Sequence, residues 1–328
     1  MPILLLLALS APTTAQNPEG KKDRDQEAAT LPAVIWRDPG DVSSINVLYG
    51  AGGQAHVPDP DGQYTFVEED LDGTNPKFTV QDAGGTEWKV KLGEESQSET
   101  AATRLLWAAG YFVDEDYYLS EFTVTGLPKL RRGQDFTEPN GIVRGARLER
   151  HLTDVKKIGE WRWTDNPFLR SRELNGLRVM MALLNNWDLK NVNNVIYDAG
   201  TEQQFVISDL GATLGNTGNY FTRSKSVLQH YARSKFIAGK APDAVDFVLH
   251  SRPFILTIFA VRHYREYAGM EKIVKHIPRD DARWLGQRLS RLSEEQLKDC
   301  FRAAGYRPDE VDGYTDVVRK RIADLNSL

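Results

Sequence analysis

The chain is poor in the residues that build common covalent and metal sites. Among its 328 residues it has one cysteine, so it cannot form an internal disulfide, and it contains neither a C-x-x-C nor an H-E-x-x-H pattern. Its six histidines are scattered along the sequence and therefore give no support for a zinc site. Cys300, in LKDCF, lies at the core spacing of a predicted helix and is predicted to be a buried, inert thiol.

The sequence also lacks the charge and apolar runs that would direct it to nucleic acid or across a membrane. Its formal charge is -5 and its pI is about 5.8, whereas a nucleic-acid surface requires a basic stripe and a membrane surface favours a polybasic run. The longest apolar run near the N-terminus, residues 3–9, is shorter than the roughly 20 residues that a spanning helix needs. We expect no nucleic-acid partner and no membrane span, and the oligomeric state stays open.

The first 31 residues have the pattern of a targeting segment followed by a linker. In MPILLLLALSAPTTAQ an apolar run leads to small residues, which is typical of a secretory signal peptide, residues 1–15, cleaved after Ala15. No Lys or Arg precedes the run, and a buried N-terminal strand is the alternative. Residues 16–31 are charged and poor in large apolar residues, so we predict a disordered linker. The expected location is outside the cytosol, either periplasmic or secreted.

The rest of the chain changes from strand-like to helical patterning near residue 152. In TEWKVKLG, Trp88, Val90 and Leu92 alternate with charged residues, as in a half-buried strand, and a single helical pattern follows at SQSETAATRLLWAAGY. Beyond residue 152 apolar residues recur at helical spacing, as in SRELNGLRVMMALLNN. We predict an α+β protein with a β-rich unit over residues 32–152 and an α-helical unit over residues 153–328.

Polar side chains are concentrated in the turn NNWDLKNVNNVIYD, residues 185–198. A long apolar helix precedes this turn, and a strand, a short hairpin and the tripeptide Asp209-Leu210-Gly211 follow it. Upstream, Lys91 lies on a predicted strand and Glu99 on the helix after it. A loop, Asp72-Gly73-Thr74-Asn75, joins two earlier strands.

Each of these features has a simpler explanation when it is taken alone. Lys91 could lie on a solvated strand face, and Glu99 could close a capping box with Ser96. The loop at residues 72–75 could be an ordinary hairpin turn. Asp188 and Asn193 could serve as turn formers, because these residue types bond their own backbone. The ordered occurrence of all these features is less easily explained by chance.

The order and spacing resemble those of protein kinases and their atypical relatives, the HipA-like, CotH-like and secretory-pathway kinases. The resemblance covers roughly residues 60–230. It implies a two-lobed fold, with a β-rich N-lobe that contains one helix and an α-helical C-lobe that contains the catalytic loop. The chain departs from the kinase pattern at three places. No G-x-G-x-x-G precedes Lys91, Asn186-Trp187 stands where His-Arg is usual, and Leu210 replaces a Phe.

The resemblance implies a magnesium-dependent phosphotransferase that moves a phosphoryl group from ATP, or another nucleotide, to a hydroxyl-bearing substrate that the sequence does not identify. Oxygen ligands such as carboxylates and amides suit Mg²⁺, and a lysine suits the nucleotide phosphates. The implied roles fall on eight residues: Asp188 and Lys190 as catalytic residues; Lys91, Glu99, Gly73 and Thr74 as nucleotide-binding residues; and Asn193 and Asp209 as metal ligands.

Two other functions are consistent with the same sequence. A catalytically inactive, kinase-like binding or scaffold protein of the periplasm would explain the departures from the kinase pattern and the scarcity of ATP outside the cytosol. A nucleotidyl transferase would use the same pocket with the nucleotide inverted. A test of nucleotide binding distinguishes the scaffold protein from the phosphotransferase. The mass that the product gains distinguishes a nucleotidyl transferase from a phosphotransferase.

Overall fold

The computed structural model describes residues 31–218, 223–249 and 269–328. The predicted signal peptide and all but the last residue of the predicted linker lie outside the described residues. The strands are β1 (Ala33–Val34), β2 (Tyr64–Asp70), β3 (Lys77–Asp82), β4 (Glu87–Leu92), β5 (Asp116–Thr125), β6 (Ile142–Arg150), β7 (Lys156–Glu160), β8 (Asn194–Asp198), β9 (Gln203–Ile207), β10 (Ile237–Lys240), β11 (Ala244–Phe247) and β12 (Ile277–Pro278). The helices are α1 (Glu95–Ala108), α2 (Arg172–Leu183), α3 (Leu228–Arg233), α4 (Arg279–Leu289), α5 (Glu294–Arg302) and α6 (Pro308–Asn326).

Five strands close into a barrel in the order β2-β3-β4-β6-β5. The neighbouring pairs are antiparallel except for β2 and β5, whose short parallel pairing closes the barrel. The alternation predicted for β4 is confirmed, because Trp88, Val90 and Leu92 are buried in a hydrophobic cluster that belongs to the barrel. The barrel therefore holds β4 and the residues at its end in a fixed orientation.

A second sheet carries the hairpin that follows the polar turn. Its order is β1-β9-β8-β7, and β8 and β9 pair antiparallel, with Asn194 opposite Ile207. Strand β1 pairs parallel to β9, with Ala33 opposite Gln203, so the start of the described chain supports this hairpin from its far side. A third sheet has the order β10-β11-β12.

Helix α1 connects the barrel with the helical part of the chain. Its residues Ala101, Ala102, Leu105 and Leu106 are fully buried, and they belong to the large hydrophobic cluster that includes α2, α4, α5 and α6 rather than to the barrel cluster. The helix packs against β5 and β6 on one side and against α5 on the other. Glu99 is consequently placed at the junction between the barrel and the helices.

Helix α2 leads directly into the polar turn. Its predicted apolar face is confirmed. Ser171 caps the helix, because its side chain accepts a hydrogen bond from the backbone N–H of Leu174 at 3.1 Å. The apolar residues that recur at helical spacing, Leu174, Leu177, Met181 and Leu184, are buried, and the helix packs against α4. A capping box begins α5, where the side chains of Ser293 and Gln296 each bond the other's backbone N–H. Cys300 on α5 is fully buried, as expected, and burial raises the pKa of its thiol.

The described chain is thus a mixed α+β protein, as predicted. The capping box proposed for Ser96 and Glu99 is wrong: α1 begins at Glu95, and the Ser96 hydroxyl donates instead to the carbonyl of Lys91 at 2.9 Å. No helix in the described ranges is long and apolar enough to cross a membrane. The division into units at residues 32–152 and 153–328 stays a prediction.

Candidate active site

Lys91 is the point at which a strand, a helix and a hairpin meet. Its side chain lies at the end of β4 and is 6% exposed. The Nζ atom lies 2.8 Å from Glu99 Oε2 on α1 and 3.3 Å from Asp209 Oδ1 after the β8–β9 hairpin. The explanation of Lys91 as part of a solvated strand face is therefore wrong, although its neighbour Lys89 is exposed.

The charges around Lys91 keep it protonated. Burial alone disfavours the charged amine, but the negative charge of Glu99, with smaller contributions from Asp209 and Glu95, outweighs burial and raises the pKa of Lys91. For Asp209, burial raises the pKa, but the charges of Lys91 and Arg147 and the hydrogen bond from the Gly211 N–H together outweigh burial and leave the pKa below its ordinary value. Both groups are charged at neutral pH, as a pair that binds anionic phosphate and a divalent cation requires.

Glu99 is shared between two buried cations. Its Oε2 atom pairs with Lys91, and its Oε1 atom lies 3.4 Å from Arg147 Nη2 on β6. Arg147 in turn pairs with Asp116 at 3.0 Å and with Glu149. These acidic and basic side chains are almost fully buried, and burial raises the pKa of Glu99 and of Asp116, so the carboxylates depend on Lys91 and Arg147 to compensate for lost hydration.

Glu95 is a site residue that the sequence prediction missed. Its Oε2 atom accepts from Asn75 Nδ2 at 2.6 Å and lies 3.4 Å from Lys91 Nζ, and its Oε1 atom pairs with Lys225. Glu95, Glu99 and Asp209 each offer an oxygen, and these atoms all lie within 4.8 Å of one another. The signal available in the sequence was the four-residue spacing from Lys91 to Glu95 and from Glu95 to Glu99.

The polar turn is held together by its own side chains. The N–H of Asp188 donates to Asn186 Oδ1 at 3.0 Å, and Asn193 Nδ2 donates to the Asp188 carbonyl at 2.9 Å. Lys190 Nζ lies 2.9 Å from Asp188 Oδ1. The turn-forming explanation of Asp188 and Asn193 is therefore correct locally, and it leaves Asn193 Oδ1 and the Asp188 carboxylate as oxygen acceptors.

The same turn lies directly beside the segment that carries Asp209. The N–H of Trp187 donates to the Ala212 carbonyl at 3.3 Å, and the N–H of Ser208 donates to the Asn193 carbonyl at 2.9 Å. These two backbone bonds lie on either side of Asp209 along the chain. They therefore hold the turn with Asp188 against the Asp209 segment, although about twenty residues separate the two carboxylates in sequence.

The loop at residues 72–75 reaches the carboxylates through Asn75. Gly73 has a φ of +68°, which favours glycine, and its carbonyl accepts from Arg132 Nη1 at 2.6 Å. Gly73 and Thr74 are exposed. In the described part of the chain, the hydrogen bond that joins this loop to the carboxylate cluster comes from Asn75, whose role was not predicted.

The donor set fits a divalent cation and a nucleotide phosphate. The carboxylates of Glu95, Glu99 and Asp209 offer the hard oxygen ligands that Mg²⁺ and Mn²⁺ prefer. The Asp209 side chain is 41% exposed, so an ion can reach it from solvent, whereas Glu99 is fully buried and already pairs with two cations. Glu95 is likewise buried and pairs with Lys91 and Lys225, so Asp209 is the carboxylate best placed to hold an ion.

No family model matches this chain, and no curated protein matches it. Similar solved structures include the Helicobacter pylori proinflammatory kinase CtkA, at 14% identity and a TM-score of 0.37 over 81% of this chain and 99% of that one. The Golgi casein kinase matches at 10% identity and a TM-score of 0.40 over 83% and 73% of the two chains. Its structure with Mn/ADP bound matches at 10% identity and 0.32 over 82% and 75%. These neighbours are kinases, but with TM-scores below 0.5 they carry no weight in the functional assignment.

Proposed function

We propose that the protein is a divalent-metal-dependent phosphotransferase with a two-lobed, kinase-like fold that moves a nucleotide phosphoryl group to a hydroxyl acceptor. The observation that supports this most directly is the meeting of Lys91, Glu99 and Asp209 beside the turn that carries Asp188. Phosphoryl transfer depends mainly on positioning and charge stabilisation rather than on covalent help from the protein. A protonated lysine beside clustered carboxylates meets that requirement.

In this proposal one set of groups contacts the nucleotide phosphates and another set holds the metal ion. Lys91, held by Glu99, provides a positive charge for the nucleotide phosphates, and Gly73 and Thr74 in the exposed loop cover them. Asp209, Glu95 and the Asn193 amide oxygen would hold Mg²⁺. The bound ion would neutralise negative charge that develops on the phosphoryl oxygens.

Asp188 and Lys190 complete the proposed chemistry on the acceptor side. The Asp188 carboxylate accepts or aligns the proton of the acceptor hydroxyl, so that its oxygen can attack the phosphorus atom. The Lys190 side chain is 45% exposed and lies 2.9 Å from Asp188, so its ammonium can steady the phosphoryl group as it moves. The oxygen attacks, the bond to the nucleotide breaks, and the nucleoside diphosphate leaves with the electron pair.

The test combines labelled ATP with two conservative variants. Purified protein with Mg²⁺ or Mn²⁺ should transfer label to itself or to an added hydroxyl substrate. Asp209→Asn should abolish transfer and metal-dependent thermal stabilisation, whereas Asp188→Asn should keep nucleotide binding and lower turnover by roughly 10²–10⁴-fold. Asp198→Asn, in the β8–β9 hairpin, is the matched control and should behave as wild type. Undiminished transfer by both site variants would refute the assignment.

One observation favours a second candidate, a kinase-like binding or scaffold protein without catalysis. The ammonium of Lys225 already lies against Glu95, inside the group of carboxylates that would hold the metal. A thermal shift with and without Mg²⁺ separates the two candidates. Nucleotide at 100 times its Kd should stabilise a phosphotransferase by about 2.7 kcal/mol, whereas no shift with any nucleotide would favour the scaffold.

Export is a further part of the proposal and is supported by the pattern of residues 1–15. Expression of the full chain followed by cell fractionation should recover the protein outside the cytosol. N-terminal sequencing of that fraction should begin at Gln16. Recovery in the cytosol with the N-terminal segment intact would overturn this part of the proposal.

A further inference from the structure

Arg321 on α6 is a buried cation whose hydrogen bonds go to uncharged groups. It is 3% exposed, and within the described residues its guanidinium forms no ion pair with a carboxylate. It donates instead to oxygens of two segments, residues 182–185 and 231–234: Leu183 O at 2.8 Å, Asn185 Oδ1 at 2.8 Å, Ala182 O at 3.4 Å, Ser234 Oγ at 2.7 Å and Tyr231 O at 3.3 Å. A buried charge is costly, and the hydrogen bonds from both Nη atoms of Arg321 compensate for the hydration that it loses.

The groups that Arg321 binds lie at the entrance to the polar turn. Helix α2 ends at Leu183, and its last carbonyls are unpaired within the helix and carry partial negative charge, which a cation compensates. Asn185 follows two residues later with a φ of +56°, a left-handed conformation that is uncommon outside glycine. Asp188 is only three residues further along the chain.

Asn185 also connects the turn to the segment after Asp209. Its Nδ2 atom donates to the Gly215 carbonyl at 2.7 Å and to Ser234 Oγ at 2.7 Å. The N–H of Leu214 donates to the Leu184 carbonyl at 2.9 Å, which strengthens the same junction. One amide side chain therefore joins the guanidinium of Arg321 to both segments that carry the proposed catalytic carboxylates.

We propose that Arg321 and Asn185 are positioning residues that fix the spacing between Asp188 and Asp209. The inference rests on the proposed phosphotransferase function. The C-terminal helix acts through Asn185, because the Arg321 guanidinium fixes the amide and the amide fixes the Gly215 carbonyl. The backbone bond from Trp187 to Ala212 continues this junction towards Asp188 and Asp209, so residues 184–187 and 212–215 are joined at three successive points.

A purely structural role would make Arg321 a helix cap that affects stability alone. The proposal instead requires that loss of the junction lowers kcat much more than it changes the nucleotide KM, because the turn with Asp188 acts on the acceptor, whereas Lys91 is held by Glu99 outside the junction. Misplacement of a catalytic group by about 1 Å lowers turnover by roughly 10²-fold. The two roles therefore differ in a kinetic readout as well as in stability.

The experiment uses two variants and one matched control in the full chain. Asn185→Gly keeps the left-handed backbone available and removes both amide hydrogen bonds. Arg321→Lys keeps the charge and removes the planar fork. Tyr231→Phe is the control, because its hydroxyl donates to the Leu183 carbonyl at 2.6 Å in the same buried cluster without bonding Asn185. Each variant is assayed for transfer from labelled ATP with Mg²⁺ and for hydrogen exchange at residues 184–190 and 209–215.

We expect Asn185→Gly and Arg321→Lys to lower kcat by roughly 10–10²-fold with little change in nucleotide KM, and to speed hydrogen exchange in both segments. Tyr231→Phe should lower the melting temperature and leave kcat and exchange in these segments near wild type. Wild-type kcat and exchange in Asn185→Gly would overturn the inference. If the wild type transfers no phosphoryl group, the proposed function fails, and exchange alone decides whether Arg321 and Asn185 position the two segments.

Discussion

Glu95 and Lys225 form an ion pair across the candidate site although 130 positions separate them in the sequence. The second oxygen of Glu95 accepts from Asn75 and lies near Lys91, so one carboxylate joins the 72–75 loop, the end of β4 and the segment at residues 223–227. Lys225 also lies 5.5 Å from the centre of the Trp187 ring, next to Asp188. The ion pair therefore spans the proposed metal-binding and acceptor sides of the site.

Removal of the Lys225 charge should tighten metal binding. Lys225→Met removes a cation that competes for Glu95, and a pair of this partial exposure contributes about 1 kcal/mol, or roughly fivefold in affinity. Titration of the nucleotide-free protein with Mn²⁺, followed by electron paramagnetic resonance, measures the effect. Lys225→Arg keeps the charge and should bind Mn²⁺ as wild type does. Equal Mn²⁺ affinity in Lys225→Met and wild type would contradict competition at Glu95.

Loss of the Glu99 charge should strongly destabilise the fold. Glu99→Gln leaves the Lys91 ammonium without its nearest carboxylate and removes one of the negative charges that balance Arg147. Breaking a buried ion pair in this way lowers the free energy of unfolding by about 3–5 kcal/mol. Urea unfolding measures the free energy. Asp280→Asn is the control, because Asp280 is largely exposed and its pair with Arg283 should contribute at most about 1 kcal/mol. A Glu99→Gln loss no larger than that of the control would show that the buried network contributes little.

A side chain at Gly211 should disturb the metal site. A Cβ atom at this position would lie 2.5 Å from Glu95 Oε2 and 2.7 Å from Glu95 Cβ, so Gly211→Ala must displace Glu95. Displacement of a metal-binding or supporting group lowers metal affinity by roughly 10–10²-fold, which a Mn²⁺ titration measures. Gly239→Ala, where no atom lies within 4 Å of the added Cβ, should leave Mn²⁺ binding unchanged. Unchanged binding in Gly211→Ala would place the ion away from Glu95.

The buried carboxyl of Asp114 should make stability fall as the pH rises. Burial, with a smaller contribution from the charge of Glu149, raises the pKa of Asp114 to about 8, and its Oδ2 atom accepts from Ser208 Oγ at 2.5 Å. Between the ordinary value of 3.8 and about 8 the folded chain keeps this proton while the unfolded chain releases it. The stability of wild type relative to Asp114→Asn should therefore fall across this range, by at most about 1.4 kcal/mol per pH unit. Urea unfolding of both proteins at several pH values should show it, and parallel pH profiles would contradict it.

Strand and helix patterns in the sequence predicted much of the fold that surrounds the site. The alternation in β4 and the helical spacing in α2 are local signals, and the structure confirms both. The closure of the barrel by β2 and β5 was not predictable in this way, because it depends on a short parallel pairing between strands that are far apart in sequence. The signal peptide and the linker predicted for residues 1–31 concern residues that, apart from residue 31, lie outside the described ranges.

The site shows that a local sequence pattern can mislead where tertiary contacts determine which side chains pair. Ser96 and Glu99 have the spacing of a capping box, but the Glu99 carboxylate pairs with Lys91 and Arg147 instead of with the helix end. Both cations are buried, so they need a carboxylate to compensate for lost hydration. Glu95 and Lys225 were missed because no local pattern links them; their ion pair forms only when α1 and the segment after Gly211 are packed together. Lys91 was found because its order relative to Glu99, Asp188 and Asp209 matched a known arrangement.

The packing of α1 limits how the proposed phosphotransferase can be regulated. In protein kinases the helix that carries the lysine-binding glutamate controls activity through its position. Here the apolar face of α1 and residues Cys300 and Phe301 of α5 belong to one buried cluster, so outward movement of α1 would expose that interior to water. Packing against α5, in the C-terminal part of the chain, therefore holds Glu99 in contact with Lys91. In the proposed phosphotransferase, control of turnover would then fall to metal and nucleotide supply, or to the access of the acceptor.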